Sequence, residues 1–139
     1  MQINPYLNFD GNAHEAFLFY QSVFGGELFI QTMGDAPGNE NLSEDEKNRA
    51  MHVSLPLTNG QHLMASDCLP SQGHVLIIGN NNHISVSPDS REEAKKLFDG
   101  LSAGGQIEMP LDDMFWGDYF GSFTDKYGVK WMINYTNPQ

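Results

Sequence analysis

Five histidines and one cysteine are the side chains of this sequence best suited to hold a metal or move a proton. Three of them, His52, His62 and His83, lie in alternating runs opposite apolar residues. Such parity would let all three point to one cavity and supply the three protein ligands that a catalytic zinc usually takes. Nothing in their spacing demands it, so the competing reading makes them polar wall or edge residues with ordinary hydrogen bonds. His14 and His74 read as surface residues. Asp67 and Asp118 could serve as general bases if burial raised their pKa values toward neutrality. The preferred reading makes Asp67 a strand-end turn carboxylate and Asp118 a hydrogen-bonded loop anchor. Cys68 would need a neighbouring positive charge to become a nucleophile, and the adjacent sequence supplies none, so a buried, inert thiol is expected. Phe115, Trp116, Tyr119 and Phe120 either stack on a planar or cationic ligand or fill core.

The elements that must position these residues can be read from periodicity. Ile3 to Phe9 alternates as a strand, with Pro5 near its start or at an edge. A helix follows Asp10-Gly11, with Asn12 as expected N-cap, Glu15 at capping-box spacing and a stripe of Ala16, Phe19, Tyr20, Val23 and Phe24. Gly25-Gly26 ends it. Glu27 to Met33 reads as a strand, and the acidic stretch Gly34 to Asn48 as a solvated loop. Ala50 to Leu57 and Gln61 to Asp67 form a hairpin around Asn59-Gly60. Leu69 to Asn82 is a Pro/Ser/Gly/Asn-rich connection around Val75-Leu76-Ile77-Ile78, expected as an extra strand or an interface segment. His83 to Ser87 is the next strand. Ser90 and Glu93 cap a second helix with the stripe Ala94, Leu97, Phe98 and Leu101, closed by Gly104-Gly105. Gln106 to Leu111 is a strand. Tyr119 to Thr124 and Val129 to Tyr135 form a last hairpin, turned by Asp125 and Gly128.

Composition narrows the function classes. A chain of 139 residues with a net charge of −11 lacks the basic stripe that nucleic acid or an anionic membrane would require. The single cysteine excludes an internal disulfide and fits a reducing compartment. With no charged and apolar leader pattern and no long apolar run, a cytoplasmic protein is expected. The segments EAFLFYQSVFGG (Glu15 to Gly26) and EAKKLFDGLSAGG (Glu93 to Gly105) match, and each half reads strand, helix, strand, strand, strand. Two such units predict a shared architecture: one α+β domain built from module 1 (about 1–68), a connector (about 69–82) and module 2 (about 83–139). One helix covers one face of each sheet, leaving the other to enclose a small-molecule cleft.

Several segments carry a family resemblance: Pro5-Tyr6-Leu7-Asn8-Phe9 with Gly11-Asn12-Ala13, Phe19-Tyr20, Phe24-Gly25-Gly26, Met51-His52 and Leu63-Met64-Ala65-Ser66-Asp67. Further on come Pro110-Leu111, Phe115-Trp116-Gly117-Asp118, Phe120-Gly121, Asp125, Gly128 and Trp131-Met132-Ile133-Asn134. On these the chain resembles the vicinal-oxygen-chelate superfamily of glyoxalase I, extradiol dioxygenases and fosfomycin and bleomycin resistance proteins, and within it the PhnB-like branch. The resemblance implies paired βαβββ modules and a homodimer, sometimes with modules exchanged between subunits. It also implies metal ligands on the first and last strand of each module. Only His83 matches. The first-strand position falls near Pro5, the fourth-strand candidates are His62, Met64 and Ser66, and the last-strand glutamate is replaced at about Met132, a thioether ill suited to hard divalent ions. The branch is often labelled methyltransferase-like, but no Gly-rich strand-to-helix turn supports that activity.

The expected function is therefore binding of a small molecule in a cleft, with no cofactor and without the usual metal site. The cleft candidates are His52, His62, Met64, Ser66, His83, Ser85, Phe115, Trp116, Tyr119 and Met132. The alternative is a metal-dependent lyase, isomerase or dioxygenase of glyoxalase type, with a rearranged site built on His83.

Overall fold

A computed structural model describes all residues, Met1–Gln139, as two compact units, Met1–Ile77 and Ile78–Gln139, divided inside the 69–82 connector. The first unit runs β1 (Tyr6–Phe9), α1 (Ala13–Phe24), β2 (Phe29–Thr32), α2 (Glu44–Lys47), β3 (Ala50–Pro56) and β4 (His62–Asp67). Its sheet has the order β1-β4-β3-β2. The second runs β5 (Ile84–Val86), α3 (Arg91–Ser102), β6 (Gln106–Asp113), β7 (Asp118–Thr124) and β8 (Lys130–Thr136), in the order β5-β8-β7-β6. In each, first and last strands pair in parallel and the rest antiparallel. The two βαβββ units read from the repeat are thus present with one topology.

Each helix covers one sheet face. In the first unit Ala13, Ala16, Phe17 and Tyr20 of α1 are buried, together with Val53, Leu55, Leu63 and Ala65 of β3 and β4. Phe17, not Phe19, completes this stripe; it meets Phe9 and Tyr20 edge-on, with ring centroids 6.3 and 5.3 Å apart. In the second unit Leu97, Phe98 and Leu101 of α3 cover Phe123, Trp131 and Ile133. Burial of each large side chain contributes about 1.5–3 kcal/mol.

Two buried carboxylates fix the strand ends. Asp125 accepts Tyr127 N–H and Val129 N–H at 2.8 and 3.0 Å and the Trp131 indole N–H at 2.8 Å, closing the β7–β8 turn over Gly128 at φ 88°. Asp67 accepts the Gly11 and Ala13 N–H groups on one oxygen and Ala50 N–H on the other. Asn12 is the N-cap of α1 as expected but makes no side-chain cap bond; a carboxylate from the end of β4 instead accepts the first helical N–H, that of Ala13, along with the Gly11 N–H of the preceding turn. Ser90 caps α3 as expected, accepting Glu93 N–H at 3.0 Å.

Two further expectations change. The acidic stretch is not a bare loop: Ser43 caps the short helix α2, and Glu46, 7% exposed, accepts Ser71 N–H. The run Val75 to Ile78 forms no strand, and Val75, Ile77 and Ile78 are exposed within the chain.

Candidate functional site

Strand alternation sorts the candidate residues onto faces. In the first unit the face opposite α1 carries Tyr6 and Asn8 from β1, His62, Met64 and Ser66 from β4, and His52 and Ser54 from β3. The register aligns Tyr6 with Met64, Asn8 with Ser66, and Ser54 with Met64. The expected cleft residues His52, His62, Met64 and Ser66 therefore share one sheet face, all half-buried. His52 Nδ1 lies 3.3 Å from the Tyr6 hydroxyl, with the rings stacked at 5.9 Å between centroids. His62 Nδ1 is 3.5 Å from the Ser54 hydroxyl. Both imidazoles thus have local partners, and this central patch carries no Asp, Glu, Lys or Arg.

At one end of this face is a cavity of about 580 Å³, between Asn8, Ser66, Asp67 and Cys68 at the strand ends and the chain from His74 to Ile77. His74 Nδ1 accepts Leu69 N–H at 3.1 Å, which leaves Nε2 to carry the proton of the neutral ring. Exposed His74 is thus a fixed part of the cavity wall, which its sequence neighbourhood did not reveal. Cys68 is half-buried, and a cation does lie close: Arg49 donates to the Cys68 carbonyl at 3.0 Å and to Asp10 at 2.8 Å. Its charge is matched by Asp10, toward which the thiol points at 3.4 Å. Burial, with the Asp10 contact adding to it, pushes the Cys68 thiol above its usual range, away from nucleophilic chemistry.

In the second unit Gly121, Phe123, Trp131 and Ile133 face α3, so Phe120, Ser122, Thr124, Lys130 and Met132 occupy the other face. Ser85 pairs with Met132, and His83 and Lys130 are the residues just before the first registered pair, Ile84 with Trp131. Across this face runs a polar cluster. Lys130 Nζ lies 3.1 Å from Glu108 Oε2 and 3.0 Å from Thr124 Oγ1, while His83 Nε2 lies 3.4 Å from Glu108 Oε1. Glu108 and His83 belong to opposite edges of the sheet, about 14 Å apart if it were flat. Their contact requires a sheet curled into a cup, and the register shift in β6 around Glu108 supplies the local bend. Lys130, then desolvation working the other way, then His83 set the Glu108 pKa, with a net shift below the usual carboxylate range.

Glu108 and Lys130 did not stand out in the sequence. The signal was available: the chain has 7 Lys and Arg in all, and Lys130 shares strand parity with Met132, so a rare cation faces the candidate site. Of the remaining candidates, Tyr119 lies on the helix side, where the Arg91 guanidinium covers its ring at 3.9 Å. Phe115 and Trp116 sit at the β6–β7 turn, 97% and 51% exposed, so they are not module core, while the Trp116 ring meets Phe120 of the open face edge-on at 6.1 Å. Trp116 N–H donates to Asp118 at 3.2 Å, which makes Asp118 a loop anchor.

No three His, Cys, Asp or Glu side chains are grouped to hold a metal ion. Around His83 the donor set does not fit a divalent cation. Its one carboxylate neighbour is ion-paired with an ammonium, and Met132 is a soft ligand. A divalent ion about 4 Å from the Lys130 charge would be repelled by roughly 8 kcal/mol at an effective dielectric of 20, and by about 2 kcal/mol at that of water.

Comparison with known proteins adds the following. The family model of the Glyoxalase/Bleomycin resistance protein/Dioxygenase superfamily matches residues 2–133. Protein YjdN of Escherichia coli (strain K12) is 33% identical over 153 residues, covering 100% of this chain and 98% of that protein. The crystal structure of protein PA1353 from Pseudomonas aeruginosa is 40% identical with a TM-score of 0.86, covering 99% of both chains. The PhnB protein from Bacillus cereus is 28% identical with a TM-score of 0.75, covering 98% of this chain and 100% of that one.

Proposed function

Since the chain belongs to the Glyoxalase/Bleomycin resistance protein/Dioxygenase superfamily and has PhnB-like neighbours, we propose that it binds a small organic molecule on its helix-free sheet faces without a bound metal. The observation that carries this reading is the first unit's uncharged patch of Tyr6, His52, His62, Met64 and Ser66, running into the cavity of about 580 Å³. That volume lies within the range of small-molecule sites, and rings beside a few fixed polar groups suit a planar, mostly neutral ligand. The mismatch of His83, Glu108 and Lys130 to a divalent ion supports the metal-independence. The exposed run of Val75, Ile77 and Ile78 supports the further proposal that a second copy of the chain seats there, forming a homodimer that roofs the cavity.

The test is ligand-observed NMR against a set of small aromatic and antibiotic-like molecules, with wild type and Ser66→Trp. Binders that are lost in the variant are expected. A set without a single Ser66-sensitive binder would sink the reading. Sedimentation of wild type and Ile77→Asp tests the dimer, which the substitution should dissociate. Glyoxalase-type catalysis is the competing function, and stoichiometric metal lost in His83→Ala would overturn the metal-independent reading and put that chemistry first.

A further inference from the structure

The second unit's cup holds a cation already. Lys130 is anchored by Glu108 at 3.1 Å and Thr124 at 3.0 Å, and its side chain is 17% exposed. An ammonium has three N–H donors, and these two partners leave one over. His83 lies 3.4 Å from the other Glu108 oxygen, so Glu108 contacts both groups. Lys130 opens β8 and pairs there with Thr124 of β7.

We propose that Lys130 is the resident electrophile of the second unit's open sheet face: its ammonium, aimed by Glu108 and Thr124, takes the place of a divalent ion and receives an oxygen acceptor of a molecule bound on that face. This rests on the metal-independent reading above and deepens it. A lysine differs from a metal in what it can do there. It offers one positive charge and a single remaining hydrogen bond, so it binds one carbonyl-type or anionic oxygen and cannot draw two oxygens into a shared coordination sphere. The same charge keeps divalent ions away from His83 and Glu108, although a carboxylate and an imidazole are both fair ligands. Lys130 thus both fills the position and guards it.

The guarding role gives a test whose probe is the metal alone. Nickel(II) and manganese(II) are titrated calorimetrically into wild type, Lys130→Met, Lys130→Arg and the Lys130→Met/His83→Ala double variant, with circular dichroism confirming that each is folded. Met preserves length without charge, and Arg preserves charge. Lys130→Met should bind nickel at least about thirtyfold more tightly than wild type, the lower limit for removing a unit charge about 4 Å from a divalent ion in water. The double variant should lose that gain, and Lys130→Arg should match wild type. Equal weak binding by wild type and Lys130→Met would overturn this inference while leaving metal-independent binding intact. Stoichiometric, His83-dependent metal in wild type would overturn both.

Discussion

Asp67 offers the sharpest separation between a structural carboxylate and a catalytic one. It is 5% exposed, and its oxygens accept N–H groups from Gly11 at 2.9 Å, Ala13 at 3.0 Å and Ala50 at 2.8 Å. These donors lie on the β1–α1 turn, the first turn of α1 and the start of β3, so one side chain ties three elements of the first unit together. Replacing it with Ala orphans all three. The Ala13 and Ala50 bonds are buried, and each lost partner there costs about 1–3 kcal/mol; the half-buried Gly11 bond costs less because water can replace it. The sum for Asp67→Ala is about 4 kcal/mol, a large share of the 5–15 kcal/mol typical of a domain. Asp67→Asn keeps one oxygen for Gly11 and Ala13 but turns an amide NH2 toward Ala50 N–H, at about 2 kcal/mol. Urea unfolding at pH 7 measures both, and amide exchange at Ala13 and Ala50 localises the loss to the first unit. A change below about 0.5 kcal/mol in Asp67→Asn, within the range of ordinary surface substitutions, would refute the tether and reopen Asp67 as a functional base.

Other outcomes follow from the same geometry. A Cβ on Gly121 would meet the Phe98 ring at 2.7 Å and the Leu111 backbone at 2.9 Å, so Gly121→Ala should destabilise by about 1–3 kcal/mol in denaturant melts. Arg91 first, and then Asn137, hold the Asp113 carboxyl below its usual range. A depressed folded pKa contributes stability above the unfolded value that fades as pH falls through the folded one, so Arg91→Met should narrow the difference in urea midpoint between pH 7 and pH 3. Cys68 should react with a disulfide reagent at pH 7 more slowly than a free thiol, because burial and Asp10 raise its pKa; Asp10→Asn should speed it. An unchanged rate in Asp10→Asn would show that the carboxylate does not govern the thiol.

Much of the fold was legible because it is written in local signals. Alternation marked which residues of β3 and β4 face the helix; Asn59-Gly60, at φ 63° and 76°, and Gly128 marked the hairpin turns; Ser90 marked the start of α3. The capping of α1 was not legible, because Asp67 lies 54 residues from the Ala13 N–H it accepts. Phe17 was missed because a stripe that is correct at Ala16 and Tyr20 gives no sign of how far the helix is rolled. In the site, parity correctly grouped His52, His62, Met64 and Ser66 on one face. Tyr119 has opposite parity to Phe120, so these two aromatics of one stretch fall on opposite faces of the sheet. The Glu108–Lys130–His83 cluster depends on sheet curl, which brings opposite edges together and leaves no trace in spacing.

The strand order has a kinetic consequence. In each unit the three later strands form an antiparallel ribbon from neighbours in sequence, while the first strand must find the last across nearly the whole unit, Tyr6 to Met64 and Ile84 to Trp131. Closing such a loop is entropically costly before any contact rewards it, so the parallel pairing belongs to the late side of the folding barrier. Until it forms, one edge of β4 and one of β8 present unpaired backbone groups. Those are the surfaces by which a chain still being synthesised is most exposed to aggregation.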